Sequence, residues 1–263
     1  MTASRSDPSG TADPYHQRRG KGHDDPRLRL SVAARLAPHL SSPFCPLVKQ
    51  HECPPGPSGI RLVAFDLDGT LLRGDTVCEV LARRLGRLDR MRELEATATD
   101  LEAQLLARAE MVSWYEDHTP AELQDFAAQA RLAPGAREGF ALLVEAGIEI
   151  AILSVTWGFA VEWFAGQLGA SAWIGTSLEP DGSIGHVWPE DKSRWLESRL
   201  GTAGLSRRQV AAVGDSRGDL PLLHAAGLPV FVGPELLAEL PTTTRHLPAA
   251  DVRDIARLIL DCG

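Results

Sequence analysis

The chain has 263 residues, 44% of them apolar and 24% charged, with a net charge of −8, enough to bury one large core or two small ones. The charge is unevenly spread: residues 1–59 hold eight Lys or Arg against five Asp or Glu, whereas residues 60–263 hold 19 against 30. So acidic a surface argues against nucleic acid and acidic membranes as partners and leaves any phosphate ligand to a local positive site.

Residues 1–59 carry nine of the 18 prolines and no sustained apolar periodicity, and read as a disordered or loosely attached tail. Within it Leu28 to Leu40 is spaced for a short helix that Pro38 limits. Cys45, His51 and Cys53 lack a fourth ligand at zinc spacing, and with Cys78 and Cys262 the chain has no paired C-x-x-C, so a reduced, cytoplasmic protein is expected. No apolar leader follows Met1 and no apolar stretch reaches membrane-spanning length.

Val63 to Thr70 is a short apolar run ending in two carboxylates, a glycine and a hydroxyl. Such a run reads as a strand buried on both faces, with Asp66 and Asp68 on one side of its carboxyl end, where α/β sheets bind ligands. An isolated Asp there ordinarily caps a turn, and a calcium loop fails because Leu71 and Leu72 stand where oxygen ligands are needed. About sixty residues then precede the next crossover helix. Val77, Val80, Leu81 and Leu85 predict one helix, Leu101, Leu105 and Leu106 another, and Thr119-Pro120-Ala121-Glu122 a capped third. They form a helical insert over Gly74 to Leu132, whose Trp114 and Tyr115 are expected to pack inside it.

Pro134-Gly135 opens the delayed crossover helix with a Phe140, Leu143, Val144 stripe. The second strand, Ile148 to Leu153, ends in Ser154, a hydroxyl beside a helix start at Gly158 and Phe159, which suits a phosphate. Trp173 to Val187, with Pro180-Asp181-Gly182, reads as a short connection or flap. At the head of the next helix stands Lys192, the one lysine among 18 arginines in residues 60–263, which suggests a compact point charge that Arg cannot replace. Val210 to Val213 is a further buried strand, followed by Gly214-Asp215-Ser216-Arg217-Gly218-Asp219, whose glycines permit close backbone approach. Leu228 to Val232 and a helix over Val252 to Leu260 complete an α/β fold.

Four acids, a hydroxyl and one lysine at one sheet edge fit phosphoryl transfer. Residues 61 to about 261 resemble the haloacid dehalogenase superfamily, whose four motifs read here as Asp66-Leu67-Asp68-Gly69-Thr70, Ser154, Lys192 and Gly214 to Asp219. The resemblance implies a Rossmann-like parallel sheet with helices on both faces plus a small helical cap. The domains are then residues 1–59 as tail, 60–73 with 133–263 as catalytic core, and 74–132 as cap. It also implies a magnesium-dependent phosphatase for a small phosphorylated metabolite, phosphoserine or a related compound, working as monomer or homodimer. Asp66 is then the nucleophile and Asp68 the acid and base. Asp66, the Asp68 carbonyl and Asp215 hold magnesium, and Asp219 orients Lys192 or a metal-bound water. Thr70, Ser154 and Lys192 grip phosphate. The insert looks like the cap of the phosphoserine phosphatase group, placing Asp75 on a substrate amino group and Arg108 on a carboxylate. Val155-Thr156 departs from that group's Gly-Gly, which puts phosphoserine itself in question. A phosphomutase or phosphotransferase, and a silent binding protein, are the alternatives.

Overall fold

The structure, a computed structural model, describes residues 59–179 and 181–261. The expected tail, the short helix expected over Leu28 to Leu40, and Cys45, His51, Cys53 and Cys262 lie outside the described residues. A seven-stranded sheet has the order β4-β3-β2-β1-β5-β6-β7. Its strands are β1 (Leu62–Phe65), β2 (Glu149–Trp157), β3 (Ala172–Leu178), β4 (Ile184–Gly185), β5 (Val210–Gly214), β6 (Leu228–Phe231) and β7 (Arg245–His246). All pairings are parallel except that of β3 with β4. The stretch expected to be a short connection therefore contains β3, a strand of the main sheet, and the hairpin to β4. Its irregular apolar pattern follows from half burial: in β3 only Thr176 is fully covered.

Alternation in β1 decides what packs where. Val63 and Phe65 join one apolar layer with the helices α5 (Ala136–Glu145), α6 (Gly158–Leu168) and α9 (Val252–Asp261). Leu62 and Ala64 join the opposite layer with α7 (Pro189–Ala203) and α8 (Leu220–Ala225). Both faces of the sheet are thus covered, as parallel sheets require. By the same parity Leu67 turns into the first layer while Asp66 continues the row that faces α7. In the crossover stripe Phe140 and Leu143 are buried, but Val144 is exposed.

Between β1 and α5 lie α1 (Val77–Arg84), α2 (Leu88–Thr97), α3 (Leu101–Ser113) and α4 (Pro120–Ala127). Thr76 and Thr119 each form a reciprocal capping box, with Glu79 and Glu122. The stretch Arg87 to Thr99 is helical although only Met91 and Leu94 are buried, too few apolar positions to register as a stripe. The two ends of the insert meet: Arg73 N donates to Arg131 O at 2.9 Å and Ala133 N to Leu71 O at 2.7 Å. Tyr115 is buried and makes edge contacts with Trp157 and Phe159 at 5.5 and 6.5 Å, so it packs the insert against the sheet rather than lining the crevice. No helix among the described residues is long and apolar enough to cross a membrane.

Candidate active site

Register aligns the ends of the three central strands. Phe65 pairs with Ile152 on one side and Val213 on the other, so the residues that follow, Asp66, Ser154 and Asp215, emerge together. Lys192 reaches them from α7. It lies one turn before Leu196, which is fully buried against the sheet, and the i, i+4 spacing points both side chains inward. Its Nζ donates to Asp66 Oδ1 at 2.6 Å and to Asp219 Oδ1 at 2.7 Å, with all three side chains almost wholly buried. Burial opposes the ammonium charge, yet the charges of Asp66 and Asp219 outweigh it and hold the lysine above its ordinary range. Asp66 is pushed well above the usual carboxylate range, by burial first and by the Asp219 charge next, against the pull of Lys192.

Asp219 spends its other oxygen on the loop after β5. Oδ2 accepts from Asp215 N at 3.0 Å, Ser216 N at 3.1 Å and Ser216 Oγ at 3.2 Å. A carboxylate so saturated fixes Lys192 and the loop that carries Asp215. The latter's Oδ1 accepts from Thr70 Oγ1 at 3.1 Å, and burial with the Asp219 charge raises its pKa to about 6. Close approach here depends on glycine: at Gly69, φ +83°, a Cβ would run into the Asp215 carboxylate, and at Gly214 into Asp219. Gly218 has ordinary space around it.

Oxygens from Asp66, Asp215 and Asp219 lie within 4.8 Å of one another. An all-oxygen anionic donor set suits a hard divalent cation such as magnesium. The carboxylate of Asp68 is not in this group. Its Oδ1 accepts from Val77 N, the first amide of α1, at 2.8 Å, and Thr156 supplies a side-chain hydrogen bond. Burial nevertheless raises Asp68 to about 6.

These groups open on a cavity of about 220 Å³ lined by Asp66, Asp68, Ser154 and Lys192 and, on the insert side, by Gln104 and Arg108. Arg108 thus reaches the site from α3, across the crevice. Thr70 is buried on Asp215, and Asp75 is absent from the lining: it pairs with Arg83 at 2.7 Å on the surface. β2 runs on to Trp157, because Val155 and Thr156 favour extended backbone, so Ser154 lies within the strand, four residues before α6. Its buried Oγ accepts from Thr156 N at 3.3 Å. Sequence reasoning missed Gln104 and Trp188, and named Thr156 only as a departure beside Ser154. The i, i+4 spacing of Gln104 and Arg108 could have flagged the first.

Known proteins resemble this chain in sequence and fold. A phosphoserine phosphatase of Streptomyces coelicolor is 31% identical over 203 residues, 73% of this chain and 48% of the relative, so the chain spans about half that protein's length. A phosphoserine phosphatase of Halobacterium salinarum is 29% identical over 188 residues, 67% of this chain and 87% of its own. A solved substrate-bound phosphoserine phosphatase complex aligns with TM-score 0.63 at 21% identity, over 76% of this chain and 98% of that one, which shows the shared α/β fold. The family model described as haloacid dehalogenase-like hydrolase matches residues 63–224, the span that contains every acid of the site and Lys192. With β1, β2 and β5 presenting those residues at one sheet edge, the chain belongs to the haloacid dehalogenase-like hydrolases and lies near their phosphoserine phosphatase group.

Proposed function

We propose that this chain is a magnesium-dependent phosphomonoesterase for a small phosphorylated metabolite, working through an aspartyl phosphate on Asp66. The observation that carries the reading is the buried junction in which one ammonium bridges Asp66 and Asp219. It fixes Asp66 by Oδ1 and leaves Oδ2 for phosphorus. A cavity of about 220 Å³ is below the roughly 300–1,000 Å³ of sites for drug-sized ligands, which favours a substrate of few atoms.

In the first half-reaction Asp66 Oδ2 forms a bond to phosphorus while the bond to the ester oxygen breaks. The protonated Asp68 carboxyl gives its proton to that oxygen, so the alcohol leaves neutral. In the second, ionised Asp68 takes a proton from water as its oxygen attacks phosphorus, and Asp66 is released as carboxylate. The sum is ester plus water to alcohol plus phosphate. A pKa of about 6 suits a group that must give and then take a proton. Lys192 and Ser154 face the transferring phosphoryl group, and Asp219 holds Lys192 in place. Magnesium, held by Asp66, Asp215 and the Asp68 carbonyl, offsets phosphate charge when bound. The insert of α1 to α4 serves as the cap that keeps bulk water from the intermediate.

Phosphate release from a panel of phosphate esters, with no added acceptor alcohol, tests the reading and separates hydrolysis from group transfer to another hydroxyl. Chelation with EDTA is expected to lower turnover at least about 100-fold, with recovery on adding Mg²⁺; full activity in the chelator defeats metal dependence. Gly69→Ala is expected to displace Asp215, lowering turnover about 100-fold and raising the Mg²⁺ concentration for half-activity, while the left-handed backbone adds about 1 kcal/mol of destabilisation. Wild-type magnesium dependence in that variant would remove Asp215 from the ligand set.

A further inference from the structure

β2 is irregular where it passes the cavity. Leu153 pairs with Ile174 and Trp157 with Thr176, so that Ser154, Val155 and Thr156 of β2 stand against Gly175 alone in β3. Such a bulge bends a strand and re-aims its side chains. Ser154 and Val155 both line the cavity, which strict alternation would forbid. The extra backbone is held from β3: Thr176 Oγ1 donates to Val155 O at 2.8 Å and accepts from Val187 N at 3.1 Å.

The bulge delivers Thr156 to Asp68. Thr156 is buried, and its Oγ1 lies 3.7 Å from Cys78 Sγ in the first turn of α1. The amide just before, Val77 N, donates to Asp68 Oδ1 at 2.8 Å, and the Thr156 hydroxyl gives Asp68 a second bond. A hydroxyl has one hydrogen and two lone pairs. With the hydrogen on Asp68, a lone pair is left to accept from the thiol of Cys78, which burial holds in its protonated form. The main chain of Thr156 serves the phosphate side instead, its N donating to Ser154 Oγ at 3.3 Å.

Two partners do for a proton donor what one cannot. The Cβ–Cγ torsion of an aspartate is broad, so a carboxyl held by one amide still swings, whereas a second donor on another element fixes its plane. Misplacement by about 1 Å costs about 100-fold in rate. We infer that Thr156 is a positioning residue of the reaction: its hydroxyl, brought up by the bulge in β2, fixes the orientation in which Asp68 protonates the leaving oxygen. This deepens the proposed function and rests on its assignment of Asp68 as the acid.

Two esters of similar bulk separate help to the leaving group from every other task of the site. Benzyl phosphate releases an alkoxide that must be protonated as it departs; p-nitrophenyl phosphate releases a stable phenolate that needs no proton. The ratio kcat/KM covers the steps up to loss of the alcohol, before Asp68 turns to water. Thr156→Val keeps the bulk, the extended backbone and the amide, and removes only the hydroxyl. In the full chain with Mg²⁺ it is expected to lower kcat/KM at least about tenfold on benzyl phosphate and less than about twofold on p-nitrophenyl phosphate. Thr156→Ser returns a hydroxyl to the same Cβ and should recover most of the loss. Asp68→Asn should show the same selectivity more strongly, at least about 100-fold on benzyl phosphate.

Equal loss on both esters in Thr156→Val, or full activity on both, overturns the inference, as does Thr156→Ser no better than Thr156→Val. Where Thr156→Val does not melt cooperatively, the same ratio is read in Thr156→Ala, and loss of the fold in both variants overturns the inference in favour of a structural role. Selectivity in Asp68→Asn without selectivity in Thr156→Val removes Thr156 alone; equal loss on both esters in Asp68→Asn removes the acid on which both readings rest. Phosphate from neither ester with the wild-type chain overturns the inference, and the wider ester panel then decides whether the phosphatase reading falls with it.

Discussion

Asp66→Asn is expected to lower turnover by about 10⁴-fold or more while leaving the fold intact and the melting temperature unchanged or higher. An amide oxygen in place of Oδ1 can still accept from Lys192, but the amide cannot form the mixed anhydride with phosphate. Stability should not suffer, because the wild-type site is over-supplied with negative charge. One ammonium faces Asp66 and Asp219, with Asp215 close by. Burial and the Asp219 charge already hold Asp66 well above the usual carboxylate range, so its ionised form is disfavoured by the fold that requires it. Removing that charge relieves a cost tolerated for chemistry. Phosphate release and thermal melting of metal-free protein check the two halves separately. Retained turnover on several esters would eliminate Asp66 as nucleophile; a collapsed melt would show that the acid is needed to fold.

How far the site was legible depends on which physical rule places each group. Asp66 was readable because strand parity is fixed by backbone geometry, and Lys192 because it is the one lysine among 18 arginines in residues 60–263. In β1 the positions 62, 64 and 66 face α7, and Lys192 sits a turn from Leu196 on that helix's buried side. Gly214 was readable for the same kind of reason, since a side chain there meets Asp219.

Other groups are set by contacts that distant segments decide. Asp75 could be aligned by its place after the first strand, but its direction is settled by Arg83, eight residues on, across the start of α1. Thr70, a phosphate group by motif, is drawn to Asp215, 145 residues away. Ser154 was expected at a turn. The strand runs on to Trp157 across a bulge: its pairing with β3 breaks off after Leu153 and resumes at Trp157 opposite Thr176, whose Oγ1 donates to Val155 O at 2.8 Å. His186 and Trp188 gave no periodic signal, lying in the irregular run between β4 and α7. They are tied to the site by Arg108, whose Nη1 lies 2.8 Å from His186 Nδ1 and whose guanidinium lies over the Trp188 ring at 4.3 Å.

Lys192→Met is expected to cost both activity and about 3–5 kcal/mol of stability, because deleting one partner leaves buried carboxylates without compensation. The melting temperature should fall by about 10 °C. The loss should depend on pH in a direction that follows from the acids. A carboxyl whose folded pKa is raised above its unfolded value contributes stability below the unfolded pKa and loses it as pH rises through the folded pKa. Asp66 stands well above the ordinary 3.8 and Asp215 at about 6, even with Lys192 present. Without the ammonium both rise further. The deficit of the variant against wild type, measured by urea unfolding in a chelator, should therefore be smaller at pH 5 than at pH 8. Lys192→Arg retains the charge and so much of the stability. A planar guanidinium, however, cannot occupy the single point 2.6 Å from Asp66 and 2.7 Å from Asp219. Turnover should drop at least about 100-fold there. A pH-independent deficit in Lys192→Met would mean that Lys192 acts by packing alone, and wild-type turnover in Lys192→Arg would mean that its position on the two acids is not what catalysis uses.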